Sequence, residues 1–133
     1  MPTPTRPRAL PVLLWLAQSF IAISFAWAAW MKLTQPIAQL AAMWPWTGEL
    51  PAPAVRLLGL VDLAGAVGIV LPALTGIRPG LTVPAAHGCM ALQACALLFH
   101  ASRGEWSVLP VNLVFFAVAA FVARQWRGRP ASA

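Results

Sequence analysis

Four long apolar stretches, separated by short polar connections, dominate the hydrophobic pattern of this chain. They extend from about Pro11 to Lys32, Pro53 to Leu74, Leu81 to His100 and Trp106 to Trp126. Each is close to the roughly 20 residues that an α-helix needs to cross a hydrocarbon layer about 30 Å thick. The pattern predicts an all-α fold, a transmembrane four-helix bundle that forms one domain over residues 11–126.

Composition supports a membrane protein and narrows the classes of function. Of the 133 residues, 60% are hydrophobic and only 9% are charged, a balance far from that of soluble domains. We expect an integral membrane protein, in the bacterial inner (cytoplasmic) membrane, with no room for a large soluble catalytic domain. The net charge of +6 indicates contact with anionic membrane lipids and no nucleic acid, because the Arg residues flank apolar stretches.

The distribution of positive charge predicts the orientation of the helices. One side of the predicted bundle carries Arg6, Arg8, Arg78, Arg124, Arg127 and Arg129, and the other carries Lys32, Arg56 and Arg103. Because Lys and Arg are enriched in cytoplasmic loops, both termini are expected in the cytoplasm. Residues 1–10 and 127–133 are then short basic tails on that side.

Tryptophan is frequent near the ends of the apolar stretches, where it is typical of membrane interfaces. The longest connection, residues 36–53, contains Trp44-Pro45-Trp46 and is too apolar for a solvated linker. It is predicted to be a Trp-rich interfacial loop between the first two spanning helices. Such a loop either anchors the protein at the interface or covers a pocket as a lid.

Asp62 lies inside the second apolar stretch, and a bare charge there costs roughly 2.5–3.5 kcal/mol. It must therefore be protonated, paired or hydrated in a cavity. Arg56 is six positions earlier, about 240° around the helix, so the partner should come from another helix. Gly59, Gly65 and Gly68 remove side-chain bulk nearby and allow neighbouring helices to approach closely.

Several polar residues converge on the side of the bundle that holds Asp62. We expect a candidate ligand-binding site made of Lys32, Arg56, Asp62, His100, Arg103, Glu105 and Asn112. Lys32 or Arg103, ahead of Arg56, is the predicted ion-pair partner of Asp62, with Asn112 adjacent. The alternative is an ion-pair network that fixes helix register and binds nothing.

Other chemistry has little support in the sequence. Cys89 and Cys95 are six positions apart, about 9 Å along a helix and too far for a disulfide. His87 and His100 are separated by about 20 Å on the same helix, so they cannot share one metal ion. We predict no metal site, and the absence of familiar nucleophile or cofactor motifs leaves catalytic residues unassigned.

The order of several short motifs resembles the DoxX-like membrane proteins. They are Lys32, Arg56-x-x-Gly59-x-x-Asp62-Leu63, Pro72-x-x-Thr75-Gly76-Ile77-x-Pro79, Ala85-Ala86, and His100-x-x-Arg103-Gly104-Glu105 with Asn112. The resemblance covers about residues 15–125 and implies a four-helix bundle. It also implies a link to membrane oxidoreductase systems such as thiosulfate:quinone oxidoreductase. Asp62 stands where Glu is more often expected.

These observations predict a membrane subunit that binds a quinone-like amphipathic molecule at the polar site on the extracytoplasmic side. A quinone head group needs hydrogen-bond donors and a group that passes protons, and its tail needs an apolar groove, which the three glycines would leave. A partner oxidoreductase subunit or a homo-oligomer would then supply electron transfer. The alternative is a non-enzymatic small transporter or an assembly scaffold.

The orientation can be tested with reporter fusions. A reporter active only in the cytoplasm should give signal when it is fused to either terminus. Ala26-Trp27-Ala28 resembles a signal-peptidase site behind a basic leader, so cleavage there is the alternative topology. A silent N-terminal fusion combined with an active C-terminal fusion would favour that cleavage or a three-span protein.

Overall fold

The structure, a computed structural model, describes residues 9–129, and over this range the chain is helical and contains no strand. The α-helices are α1 (Ala9–Thr34), α2 (Ile37–Met43), α3 (Ala52–Thr75), α4 (Thr82–Ser102) and α5 (Leu109–Arg127). Short 3₁₀ turns occupy Pro45–Gly48, Pro79–Leu81 and Trp106–Val108.

Within the described range, four of these helices (α1, α3, α4 and α5) are long and apolar enough to cross a membrane. Their bounds confirm the four predicted spans to within a few residues. The predicted tails fall mostly on residues 1–8 and 130–133, which lie outside the described residues. Ala9 and Leu10, assigned to the N-terminal tail, already belong to α1.

Proline and glycine set the ends of the helices. Pro36 and Pro51 are the residues that immediately precede α2 and α3, where a missing N–H group costs nothing. Gly76 ends α3 with φ of 70° and donates its N–H to the Pro72 carbonyl. Glycine adopts this left-handed conformation without the penalty that a Cβ atom imposes.

The long helices form a closed ring in which α1 packs on α3, α3 on α4, α4 on α5, and α5 on α1. The core between them is apolar and includes Ile21, Phe25, Ile69, Cys89 and Val122. Large apolar side chains such as Leu57, Leu74 and Leu98 point outward and are exposed. An apolar exterior around an apolar core is the arrangement that a lipid environment requires, so the protein is an integral membrane protein in contact with lipid.

Glycine permits the closest helix contacts, as predicted. A Cβ atom on Gly68 would lie 2.9 Å from the Cβ of Ala85, and one on Gly59 would lie 3.0 Å from the Cβ of Lys32. The first contact joins α3 to α4 and the second joins α3 to α1. Neighbouring helices therefore occupy the space beside Gly59 and Gly68, whereas Gly65 lines a small apolar cavity of about 200 Å³ between α3 and α4.

The connection at residues 36–53 is more ordered than a loop. It contains α2 and the 3₁₀ turn Pro45–Gly48, and it buries Leu40 and Thr47 completely. A seven-residue helix is too short to show a helical period in sequence and is marginal alone. Its stability comes from burial of Leu40, which only the folded structure shows.

A buried polar contact joins three helices at the end of the bundle away from Asp62. Gln18 on α1 donates its side-chain N–H to the Ile69 carbonyl on α3 at 2.7 Å. Trp126 on α5 donates its indole N–H to Gln18 Oε1 at 3.0 Å. Trp126 is therefore a buried structural residue, in contrast to the interfacial position that is typical of tryptophan near the end of a spanning helix.

The glycine contacts can be tested with a matched pair of alanine substitutions. Gly68→Ala should lower the melting temperature in detergent, because overpacking typically costs about 1–3 kcal/mol. Gly88→Ala should leave it unchanged or raise it, because none of the described atoms lies within 4 Å of a Cβ placed there and alanine favours helix by about 0.5–1 kcal/mol. Equal effects of the two changes would contradict the close α3–α4 contact.

Candidate functional site

A cavity of about 780 Å³ lies at the end of the bundle where α1 ends and α3 and α5 begin. Its wall combines α1, the segment from Met43 to Leu50, α3, α4 and α5. Most of this wall is apolar or aromatic, and Phe25, Phe99 and Phe115 are part of it. The wall contains few polar residues, so the hydrogen-bond partners of the main ones can be described in turn.

The structure brings together most of the residues predicted to form the site. Lys32, Asp62, His100, Glu105 and Asn112 all line the cavity. Arg56 and Arg103 lie beside it and make contacts that hold its wall in place. The predicted convergence of polar helix ends at one mouth is therefore present, with two of the cations directed away from the interior.

Lys32 is the ion-pair partner of Asp62, as predicted. Lys32 Nζ lies 2.6 Å from Asp62 Oδ2, and the side chains are only 13% and 5% exposed. Lys32 Nζ also lies 5.6 Å from the ring centroids of both Trp44 and Trp46, close enough for cation–π attraction. One carboxylate and two aromatic rings thus hold the buried cation.

Arg56 closes the end of α1. Its guanidinium donates hydrogen bonds to the backbone carbonyls of Lys32 and Gln35, the latter at 2.9 Å. The last carbonyls of a helix have no partner within the helix, and a cation at that end also interacts favourably with the helix dipole. Arg56 therefore fixes the turn of α1 that carries Lys32, a capping role that the sequence pattern did not indicate.

Arg103 joins two connections at the rim of the cavity. It donates hydrogen bonds to Glu49, in the Trp-rich segment, and to Glu105. Its guanidinium carbon lies 5.2 Å from the ring centroid of Phe99. The hydrogen bond from Arg103 holds the pKa of Glu49 below its ordinary value, and the two carboxylates raise the pKa of Arg103. Glu49 therefore stays charged near neutral pH, and Arg103 fastens the Trp-rich segment to the α4–α5 connection.

Glu49 was not among the predicted site residues, although the sequence contained a signal for it. The chain has only three acidic residues, and Asp62 lies inside an apolar stretch. An arginine at the same mouth therefore has only Glu49 and Glu105 as acidic partners.

Asn112 lines the cavity but does not contact Asp62 as predicted. Its amide donates to the Val108 carbonyl at 2.9 Å, one turn earlier on the same chain. Such local side-chain to backbone bonds compete with longer-range ones. This competition could not be judged from helix spacing.

His100 and Gln93 line the cavity, and each carries a buried polar atom. Over residues 9–129, neither His100 Nδ1 nor Gln93 Oε1 has a hydrogen-bond partner. The acid nearest to His100 Nδ1 is Glu105, at 3.6 Å, which is too long for a hydrogen bond. Buried polar atoms are rarely left unpaired, so each needs an explanation such as a bound molecule.

Gln93, which is only 7% exposed, was missed as a site residue. It precedes His100 by seven positions, so the two lie on the same face of α4, about 10 Å apart along the helix axis. This spacing of two polar residues in an apolar helix was a usable signal. The rotation that turns this face of α4 toward the cavity depends on packing.

Thiol and metal chemistry are not organised at this cavity. Within the described part of the chain, no group of three or more His, Cys, Asp or Glu side chains is placed to hold a metal ion. Cys89 is buried and Cys95 is exposed, and neither is in a disulfide with a described residue.

Comparison with protein families matches residues 16–122 to the DoxX-like family. The chain belongs to the DoxX-like family. Comparisons with curated proteins and with solved structures found no match. The match spans all four long helices of this DoxX-like protein and includes Lys32, Asp62 and the other residues of the cavity.

The buried ion pair predicts an asymmetric mutational response. Asp62→Ala leaves the Lys32 ammonium without its partner and should cost about 3–5 kcal/mol in the free energy of unfolding. The double change Asp62→Leu with Lys32→Met removes both charges and should cost much less. Reversible unfolding in mild detergent measures both. A double variant no more stable than Asp62→Ala would contradict a mutually dependent pair.

Proposed function

We propose that this DoxX-like protein is the membrane subunit of a redox system and binds a quinone-like amphipathic molecule in the cavity. In this proposal the termini are cytoplasmic, the cavity lies on the extracytoplasmic side, and the membrane is the bacterial inner membrane. The observation that carries the proposal is a large, mostly apolar cavity whose wall includes Gln93 and His100, each of which has a buried polar atom without a described partner.

The size and lining of the cavity support a small-molecule ligand. Ligand pockets are usually about 300–1,000 Å³, mostly apolar, with a few polar groups that orient the ligand. A volume of about 780 Å³ falls in this range. Phe99, Phe115 and Trp46 line the same space and offer faces or edges to an aromatic ring.

The polar groups support a ligand with oxygen atoms that exchange protons. A quinone carbonyl accepts a hydrogen bond, and the corresponding quinol hydroxyl donates one. The amide of Gln93 and the imidazole of His100 can each serve as donor or acceptor. His100 and Glu105 are also residue types that take up and release protons. The proposal assigns electron transfer to a partner oxidoreductase subunit or to a second copy of the chain.

One observation favours a second function. The Asp62 carboxylate is paired with Lys32 inside the bundle, so the acid has a structural role without any ligand. A small transporter or an assembly scaffold would use such a bundle as a rigid membrane element. Both alternatives leave Gln93 and His100 without a special role, which separates them from the quinone proposal.

Ligand analysis of the protein purified from native membranes tests the proposal. We expect a stoichiometric quinone in the lipid extract and at least tenfold weaker binding of added quinone after His100→Phe. Leu98→Ala is the matched control, because Leu98 is on α4, is exposed and lies outside the cavity wall. Proteins that co-purify identify the redox partner.

A protein that carries no quinone and binds none when it is added would overturn the proposed function. That result, together with a His100→Phe variant that is indistinguishable from the parent protein in the same quinone assay, would favour transport or scaffolding.

A further inference from the structure

Two valines on one face of α5 show how its distance from α1 changes along the bundle. Val111 and Val122 are 11 positions apart, about three helical turns, so their side chains point in the same direction. Val122 is fully buried, whereas Val111 is 52% exposed. The face of α5 that is buried at one end is therefore exposed at the cavity end.

Contacts between α1 and α5 are concentrated away from the cavity mouth. Trp126 bonds to Gln18 at the far end, and Phe20 and Phe115 stack midway with their ring centroids 5.1 Å apart. Phe115 is also part of the cavity wall. The stacked rings thus form the floor of an opening that widens toward the end where Lys32 lies.

The opening between α1 and α5 joins the cavity to the outer surface of the bundle. Ile23 and Trp27 on α1 line the cavity and are nevertheless 70% and 51% exposed. Val111, on the facing side of α5, also lines the cavity and is also exposed. Side chains that both line a cavity and face outward mark an opening, and between α1 and α5 these side chains are apolar.

The end of the cavity next to the helix connections is covered. Met43, Trp44, Pro45, Trp46 and Leu50 form that part of its wall. Trp46 packs edge-on against Phe99 at 6.3 Å between centroids, and Arg103 fastens Glu49 of the same segment. This segment therefore narrows access along the bundle axis, although its Met43 and Pro45 are themselves exposed, while the side between α1 and α5 is open.

We propose that the ligand reaches the cavity from the bilayer, through the gap between α1 and α5, and carries an apolar tail that remains in this gap. Its polar head lies against Gln93 and His100, and its tail passes between Trp27 and Val111. The head site rests on the proposed function, and the gap adds the chemical class: a lipid-soluble amphiphile, in contrast to a water-soluble small molecule.

The depth of the gap supports this assignment. Ile23 precedes Lys32 by nine positions, about 14 Å along α1, which places the gap beside lipid chains when α1 spans the membrane. Water is scarce at that depth, so an open apolar rim contacts acyl chains or a ligand tail. The Gln93 side chain lines the cavity, and its Oε1 has no partner among the described residues, so its amide offers a polar contact that an acyl chain cannot use.

Two probes with one head group test the route in lipid nanodiscs. Decylubiquinone carries a tail, and 2,3-dimethoxy-5-methyl-1,4-benzoquinone carries none. Val111→Trp should weaken decylubiquinone binding at least tenfold, expressed per mole of membrane quinone, and change binding of the tail-less probe less than twofold. Leu113→Trp is the control, because Leu113 is similarly exposed on α5 but outside the cavity wall, and it should change neither probe.

The outcomes separate the route from the proposed function. If neither probe binds the parent protein, the proposed function is wrong, and so is the proposal of a tailed ligand. If both probes bind and Val111→Trp weakens them equally or not at all, the lateral route alone is wrong. Gln93→Leu should weaken both probes at least fivefold; an effect on the tailed probe alone would contradict the head position.

A spin label tests the gap without any ligand. In a variant with Cys89→Ala and Cys95→Ala, a label at Val111→Cys should collide more often with dissolved oxygen than with a water-soluble nickel chelate. A label at Val118→Cys, nearer the packed end, should be protected from both reagents. Dominant collisions with nickel at position 111, or equal protection at positions 111 and 118, would overturn the lateral opening.

Discussion

The arrangement of the cavity end depends on one constraint, the neutralisation of a carboxylate inside an apolar bundle. Asp62 is held by Lys32, and this pair sets the register of α1 against α3. Gly59 makes the approach feasible, since a Cβ atom there would meet the Lys32 side chain at 3.0 Å. Arg56 closes the turn that carries Lys32, and Trp44 and Trp46 cover its ammonium group. A single buried charge thus organises two helices and the connection between them.

Two buried glutamines in the bundle have different hydrogen-bond environments. At one end the side chain of Gln18 is satisfied on both sides, by the Ile69 carbonyl and the Trp126 indole. At the other end Gln93 and His100 keep atoms without a described partner. The same residue type therefore joins helices in one place and lines the cavity in another.

The features that could be predicted from sequence depend on length, charge and helix geometry. The apolar stretches specified four spanning helices, and the position of Lys32 at the end of the first stretch identified it as a partner for Asp62. Features that depend on helix rotation or on competing hydrogen bonds were missed or assigned wrongly. Gln93 faces the cavity because of how α4 packs, and Asn112 bonds to its own backbone. The helix α2 exists because Leu40 is buried, which no local period indicates.

The hydrogen bond between Gln18 and Trp126 joins α1 to α5 away from the cavity, so it can act as a pivot for a rotation of α1. Lys32 is 14 positions beyond Gln18 on α1, a lever arm of about 21 Å. A swing of about 3° around the Gln18–Trp126 contact would move the far end of α1 by about 1 Å. The pivot is a hydrogen bond between side chains, so such a swing leaves the backbone hydrogen bonds of both helices intact. Beyond this pivot α1 also carries Phe25 of the core and the Lys32–Asp62 pair, so a swing that widens the gap must move α3 together with α1.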